Sequence, residues 1–167
     1  INRLSLGVQS FFDEDLAYMN RAHQAAQAKQ CIQIAQQGGI TNLSVDLIFG
    51  YPLLSMKKLD KNLDLLLAMD VQHISCYAMT VEPKTALSYN IQKGKELPII
   101  SEESAMHYQH IAARLKSFNF QHYEISNYGK EGFRAKHNSN YWAGIPYIGF
   151  GPSAHSFNGV SRQWNIA

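Results

Sequence analysis

Asp46 stands inside the apolar run Leu43 to Phe49, where a carboxylate needs a partner. A buried carboxylate costs several kcal/mol unless it is hydrogen-bonded or paired with a charge. In parallel α/β folds, ligands bind at the carboxyl ends of the strands, and Asp46 lies near such an end. Two interpretations follow: the partner is a hydroxyl or ammonium group of a ligand, or it is the neighbouring backbone N–H groups.

Gln9 and Arg21 are two further polar side chains close to predicted strand and helix boundaries. Gln9 ends the first predicted strand, where an amide most simply caps the following loop. Arg21 lies in a helical stretch rich in Ala and Gln, where a solvated arginine is the commoner explanation. The local pattern alone therefore favours structural roles for both side chains.

A second group of polar and aromatic side chains lies in the last third of the chain: His137, Asn138, Tyr141, Trp142 and His155. After Glu131, the remaining 36 residues contain no Asp or Glu, although they include three Lys or Arg residues. Aromatic faces beside cations, without carboxylates, suit a flat anionic ligand. The alternative is an aromatic-packed β-hairpin region with ordinary surface cations.

Metal binding is not indicated by the histidines or the cysteines. His137 and His155 are 18 positions apart and match no tight ligand spacing. Cys31, in a predicted helix, and Cys76, in a predicted strand, are most simply interpreted as small buried hydrophobic residues. We therefore predict no metal site within this chain.

The composition is that of a globular chain rather than a disordered or nucleic-acid-binding one. Of 167 residues, 46% are hydrophobic and 17% charged, and the net charge of +2 does not indicate a polyanionic partner. Two cysteines suit a reducing compartment, and no signal peptide or membrane-length apolar run is present, so we expect a cytoplasmic protein. The sequence does not indicate whether the protein contacts a membrane. Because the chain begins with Ile1 inside a strand-like run, we expect a piece of a longer protein.

The elements that must position these side chains alternate between strands and helices. Strands are predicted over residues 4–8, 43–49 and 73–80, and the first helical stretch, 13–37, is broken near Asn20. Asp13 is a predicted helix cap, and Ser55 caps a further predicted helix with one apolar stripe, formed by Leu59, Leu63, Leu66 and Leu67. Such alternation is typical of βαβ units on a parallel sheet, although it does not distinguish an open sheet from an arc of a barrel.

A different organisation is predicted for the rest of the chain. A helix should begin at the cap Ser101, a strand should cover residues 121–126, and no helical period is present after Asn127. We therefore divide the chain into a first region, 1–83, and a C-terminal α+β region, 84–167.

Several separate strings, in a consistent order, resemble the radical S-adenosylmethionine family of oxygen-independent coproporphyrinogen III oxidase and its haem-chaperone relatives. The strings are Asn2–Phe11, Asn20–Arg21, Asp46–Pro52, Glu82–Thr85, Tyr123–Tyr128, His137–Trp142 and Gly149–Phe157. The resemblance extends over essentially the whole chain. It implies an α/β fold: the second half of a partial (β/α)6 TIM-like barrel, about three parallel strands with their helices, followed by the start of a C-terminal α+β region.

The resemblance also implies site residues and cofactors. It places S-adenosylmethionine against Gln9, Arg21 and Asp46, with the backbone near Thr80 alongside the adenine, and so favours ligand-binding roles for Asp46 and Arg21. A [4Fe–4S] cluster would belong to the full-length protein, because the family's cysteine triplet would lie upstream of Ile1. We expect this chain alone to be catalytically inactive, although the full-length protein resembles a radical S-adenosylmethionine oxidoreductase.

Within the family the haem-chaperone branch is favoured, because the strings Tyr123–Asn127 and His137–Trp142 look like that branch. A chaperone would hold haem, with His137 and His155 as candidate ligands, and pass it to an acceptor protein. The first alternative is a coproporphyrinogen III oxidase, which converts propionates to vinyl groups by oxidative decarboxylation. The second is a non-catalytic domain that binds haem or a protein partner.

Overall fold

Strands and helices alternate along the first half of the chain, as the apolar periodicity predicted. In the computed structural model, which describes residues 1–166, the chain divides into two units, Ile1–Phe133 and Arg134–Ala167. The elements of the first unit are β1 (Leu4–Gln9), α1 (Asp13–Tyr18), α2 (Ala25–Gln37), β2 (Leu43–Phe49), α3 (Met56–Leu67), β3 (His73–Ala78), α4 (Ala86–Gln92), α5 (Ser101–Ser117), β4 (Gln121–His122) and β5 (Asn127–Gly129).

A five-stranded mixed sheet, in the order β1-β2-β3-β5-β4, organises this unit. The strands β1, β2 and β3 are parallel, which confirms the three predicted parallel strands. Strand β5 pairs antiparallel with β3, and β4 pairs antiparallel with β5. The single strand predicted over 121–126 is wrong, because the chain turns between β4 and β5, where a Glu124 side-chain oxygen accepts a hydrogen bond from the Ser126 N–H at 3.1 Å.

One face of the sheet packs against helices and forms the core. Alternate strand residues such as Val45, Leu47 and Ile74 are at most 3% exposed on this face. The predicted leucine stripe of α3 is confirmed, because Leu59, Leu63 and Leu66 are buried in the same cluster. Burying apolar side chains contributes about 1.5–3 kcal/mol for each large aliphatic residue, so this face is strongly stabilising.

The other face of the parallel strands is polar. Side chains alternate along a strand, so residues 44 and 46 of β2 share one face, and their register partners on β3 are His73 and Ser75. A hydrogen bond of 2.7 Å joins Ser44 Oγ to His73 Nδ1. This polar face carries the candidate site.

Helix boundaries agree with the sequence in part. Ser55 caps α3, accepting a hydrogen bond from the Lys58 N–H, and the helical stretch is interrupted at Asn20. The N-cap roles of Asp13 and Ser101 are wrong, because each is the first residue of its helix. Asp13 instead accepts a 2.7 Å hydrogen bond from the Ala25 N–H at the start of α2.

The second unit contains a short helix and a hairpin. Its elements are α6 (Lys136–Trp142), β6 (His155–Phe157) and β7 (Arg162–Trp164), with β6 and β7 antiparallel. The sequence shows no helical period after Asn127, yet a helix, α6, forms there; its seven residues are too few to show an apolar period. Among residues 1–166, no helix combines the length and the apolar character needed to cross a membrane.

Candidate functional site

Gln9 ends β1 at an irregularity of the sheet. Gly7 is in register with Asp46 but Gln9 with Leu47, so the chain bulges between them. Gln9 has φ 69°, in the left-handed region, and is 9% exposed. Its amide nitrogen lies 2.7 Å from the position that a Cβ on Gly7 would occupy. A Cβ on Gly7 would point to the face of its register partner Asp46, so the Gln9 amide, which lies beside that position, is on the same face as Asp46 although Gln9 itself is in register with Leu47.

Asp46 is half-buried at the middle of β2, so the expectation that it lies near the carboxyl end of the strand is wrong. The hydroxyl of Ser5 lies 3.4 Å from its Oδ1. Burial raises the pKa of Asp46, while hydrogen bonds from Ser75 and Ser5 and the charge of Arg3 oppose that rise. These partners leave acceptor positions on the carboxylate for hydroxyl groups of a ligand.

Arg21 and Thr80, the two other predicted cofactor contacts, are both exposed. Arg21 is exposed and follows the break after α1 rather than lying within a helix; its backbone N–H donates to the Leu16 carbonyl at 2.9 Å. Thr80 is exposed after β3, and its hydroxyl donates to Glu82 at 3.3 Å. Among residues 1–166, neither residue forms a hydrogen bond with Gln9 or Asp46.

Tyr77 is a site neighbour that the sequence reasoning missed. It is in register with Ile48, two residues beyond the Asp46–Ser75 pair, and is 42% exposed on the same face. Burial raises the pKa of Tyr77, hydrogen bonding with Ser75 opposes that rise, and the charges of Asp46 and Glu124 add to it. The period of two from Ser75 was the signal that could have identified it.

Asp15 is a second residue that the sequence reasoning missed. Its carboxylate is fully buried and accepts hydrogen bonds from Ser10 Oγ at 2.8 Å and Tyr51 OH at 2.7 Å. Lys58 Nζ donates to it at 2.5 Å and to Glu14 at 2.7 Å. The hydrogen bonds to Asp15 and Glu14 raise the pKa of Lys58 against the opposing effect of burial. A buried carboxylate with three donors is satisfied, whereas loss of one donor leaves part of its desolvation cost uncompensated.

His73 lies on the polar face, near the amino ends of β2 and β3. Its Nδ1 contacts Ser44, and its Nε2 lies 2.7 Å from the Tyr123 hydroxyl. Burial, with a smaller contribution from the positive charge of Arg3, lowers the pKa of His73 to about 4. The neutral ring therefore bridges two hydroxyls, which gives Tyr123 a structural role in the sheet.

The candidates in the second unit divide between two elements. His137, Asn138, Tyr141 and Trp142 all lie on α6. The His137 and Tyr141 rings contact edge to face at 4.7 Å, with Nε2 3.1 Å from the hydroxyl. His155 is exposed on β6, its ring 6.3 Å from that of Trp164. The structure therefore groups four candidates on one helix and places His155 on the hairpin.

An open groove of about 770 Å³ is the larger cavity described in this unit. Its aromatic lining is Tyr147, Phe150 and Phe157, and neither His137 nor His155 reaches it. A cavity of only about 30 Å³ lies beside His137 and Tyr141. The surroundings of His137 thus combine aromatic packing with little enclosed space.

The family resemblance implies two cofactors, a [4Fe–4S] cluster and S-adenosylmethionine, and the residues of this chain do not suit both equally. Within residues 1–166, no group of three His, Cys, Asp or Glu residues could hold a metal ion. Cys76 is buried, as expected, but Cys31 is exposed on α2, so the expectation that both are buried is wrong for Cys31. The residues of this chain therefore do not fit an iron–sulfur cluster, whereas the Asp46 carboxylate and the Gln9 amide fit a ligand rich in hydroxyl and ring nitrogen groups.

Comparisons with known proteins give relatives along nearly the whole chain, although no family model matches it. The chain is 37% identical over 167 residues to the haem chaperone HemW of Bacillus subtilis, covering 99% of this chain and 44% of that protein. It is 41% identical over 157 residues to HemW of Synechocystis, covering 94% and 38%. The chain thus spans less than half the length of these curated relatives.

A solved structure supports the fold. Coproporphyrinogen III oxidase (HemN) from Escherichia coli, described as a radical SAM enzyme, matches with a TM-score of 0.79 at 20% identity, over 99% of this chain and 41% of that one. At this identity the match shows the fold alone. Together with the HemW relatives, it confirms the resemblance drawn from the motifs.

Proposed function

We propose that this chain, which is HemN/HemW-like, supplies part of an S-adenosylmethionine-binding wall in a protein of haem metabolism, of the haem-chaperone branch. The observation that carries the proposal is the placement of the Asp46 carboxylate and the Gln9 amide on one polar sheet face above Gly7. The HemW relatives, at 37% and 41% identity, favour the chaperone branch. We further propose that the parallel strands are an arc of a partial (β/α)6 barrel, with residues 1–83 facing the cofactor and 84–167 forming the C-terminal region.

Each residue has a defined role in this proposal. The Asp46 carboxylate accepts hydrogen bonds from ribose hydroxyls, and Ser5 and Ser75 orient it. The Gln9 amide offers one donor and one acceptor to the nucleoside. When bound beside a [4Fe–4S] cluster, S-adenosylmethionine supplies radical chemistry that belongs to the cofactor rather than to these side chains. Arg21 and the Thr80 backbone remain predicted contacts.

The cofactor proposal is tested by titrating the 167-residue chain with S-adenosylhomocysteine, which needs no cluster, and measuring binding by calorimetry. Replacing Asp46 by Asn keeps the shape but removes the charge and one acceptor, so we expect affinity to fall about tenfold, as for the loss of a charged hydrogen bond. The control is Asp60→Asn, which removes a partly exposed carboxylate hydrogen-bonded to His110. Equal affinity of the Asp46→Asn variant and the unmodified chain would contradict the proposal.

We also propose that the tetrapyrrole meets residues of the second unit, with His137 as first iron ligand candidate, His155 as second, and Asn138, Tyr141 and Trp142 around them. Imidazole is a common axial ligand of haem iron. In the full gene product, His137→Ala should shift the Soret band of bound haem and weaken binding, while thermal unfolding stays nearly unchanged. The control is His110→Ala, on α5. An unchanged spectrum, or a variant that is simply unfolded, would favour packing as the role of His137.

The two alternatives make different predictions for the same gene product. An oxidase would convert the propionates of coproporphyrinogen III to vinyl groups, and product analysis by mass spectrometry would detect it. A chaperone would transfer haem to an acceptor protein without changing the porphyrin. A non-catalytic binding domain, even after reconstitution with iron and sulfide, would neither convert the propionates nor transfer haem to an acceptor protein.

That the protein is cytoplasmic and that it has an acceptor protein remain predictions.

A further inference from the structure

We propose that Asp15 is a positioning residue, whose carboxylate fixes the turn after β1 and thereby sets the direction of the Gln9 side chain. The inference rests on the proposed ligand-binding role of Gln9. It concerns a buried polar group that lies outside the polar sheet face and that no step of the proposed function uses.

The turn after β1 is held by side chains rather than by regular structure. Gln9 has φ 69°, a conformation that non-glycine residues rarely adopt. The next residue, Ser10, is fully buried; its N–H donates to the Val8 carbonyl at 2.9 Å and its hydroxyl to Asp15 at 2.8 Å. The Phe12 N–H in turn donates to Ser10 Oγ at 3.2 Å. Asp15 therefore holds the residue that immediately follows Gln9.

The same carboxylate also accepts a hydrogen bond from the loop after β2. This loop begins at Gly50, with φ 81°, and continues into Tyr51, whose hydroxyl donates to Asp15 at 2.7 Å. From α3, Lys58 donates both to Asp15 and, at 3.1 Å, to the Leu53 carbonyl. One buried acceptor thus links the carboxyl ends of the two strands that carry Gln9 and Asp46.

This arrangement explains why the strained conformation of Gln9 persists. A residue in a sparsely populated region of φ and ψ relaxes unless its surroundings determine its conformation. Here the surroundings are the Ser10 hydroxyl, the Asp15 carboxylate and the Asn62 side chain, whose Oδ1 accepts from the Phe11 N–H at 2.8 Å. Weakening these hydrogen bonds should make the turn and the Gln9 amide more mobile, while the apolar sheet face stays packed.

The experiment compares two buried tyrosines in the 167-residue chain. Tyr51→Phe removes a donor to Asp15, whereas the control Tyr128→Phe removes a hydroxyl that has no hydrogen-bond partner among residues 1–166. Amide hydrogen exchange is measured for residues 10–12, and affinity is measured for S-adenosylhomocysteine. We expect Tyr51→Phe to speed exchange and to weaken binding by about fivefold each, which corresponds to about 1 kcal/mol, the net value of one hydrogen bond. The control should change neither.

The two readouts separate the failure of this inference from failure of the proposed function. If Gln9→Ala binds S-adenosylhomocysteine as tightly as the unmodified chain, the ligand-binding role of Gln9 is wrong. The exchange rates still test whether Asp15 restrains the turn at residues 10–12. If exchange at residues 10–12 is equal in the Tyr51→Phe, Tyr128→Phe and unmodified chains, the positioning role of Asp15 is overturned. Should Tyr51→Phe not fold, Lys58→Met removes another donor to Asp15 at a partly exposed position and is judged by the same rates.

Discussion

Acidification should destabilise the first unit through His73. The ring is 1% exposed and bonded to Ser44 and Tyr123, and its pKa is lowered to about 4. In the unfolded chain the pKa of a histidine is about 6.5. Between these values the unfolded state binds more protons than the folded state, so stability is lost as the pH falls from about 6.5 towards 4.

The size of the effect follows from the two pKa values. Complete titration of His73 would remove about 3 kcal/mol, and about 2 kcal/mol should already be lost between about pH 7 and pH 5. Asp46 acts in the opposite direction, because a raised carboxyl pKa favours the folded state as the pH falls. The contribution of His73 must therefore be measured as a difference from a variant that does not titrate at this position.

His73→Gln is the suitable variant, since an amide can still bond one of the two neighbouring hydroxyls. Free energies of unfolding are measured by urea titration of both proteins at several pH values, followed by circular dichroism. The stability advantage of the unmodified chain over His73→Gln should shrink by about 2 kcal/mol from about pH 7 to pH 5. A difference that is independent of pH, or that grows on acidification, would refute the reasoning. The control is the same substitution at His155, which is exposed on β6.

Three substitutions test individual contacts. Gly7→Ala places a Cβ 2.7 Å from the Gln9 amide nitrogen, so the amide should move and affinity for S-adenosylhomocysteine should fall, while the melting temperature changes little; an unchanged affinity would contradict the placement of Gln9. In Gly50→Ala the new Cβ would clash with the Ser104 hydroxyl, and alanine would have to adopt φ 81°. The substitution should therefore lower the free energy of unfolding by more than about 1 kcal/mol in urea titrations. Ser55→Ala removes the cap of α3 and should cost about 1 kcal/mol; Ser55→Asp, which can still cap, should restore most of it.

Local periodicity in the sequence was sufficient to predict the parallel strands and the apolar stripe of α3. Both signals arise from neighbours within a few residues, since strand side chains alternate and helix faces repeat every three to four positions. Asp46 could also be singled out, because a carboxylate within an apolar strand requires a partner. The motif strings added Gln9, whose role no local pattern favoured.

Contacts between distant residues determined the remainder of the site. Asp15 looks in the sequence like an ordinary acidic residue in the first turn of a helix, and only the approach of Tyr51 and Lys58 makes it a buried acceptor. His73 and Tyr123 are 50 residues apart and meet only because β5 pairs with β3. Such pairings depend on long-range strand order, which the local period of two does not predict.

The sequence by itself determined the three parallel strands, the apolar stripe of α3 and the polar residue that interrupts β2. The tertiary structure determined which polar groups meet: the bulge that brings the Gln9 amide over Gly7, and the single carboxylate that links the ends of β1 and β2. The physical reason is that secondary structure follows from the side chains of near neighbours. The burial and hydrogen bonding of a charge depend instead on groups that only the complete fold brings into contact.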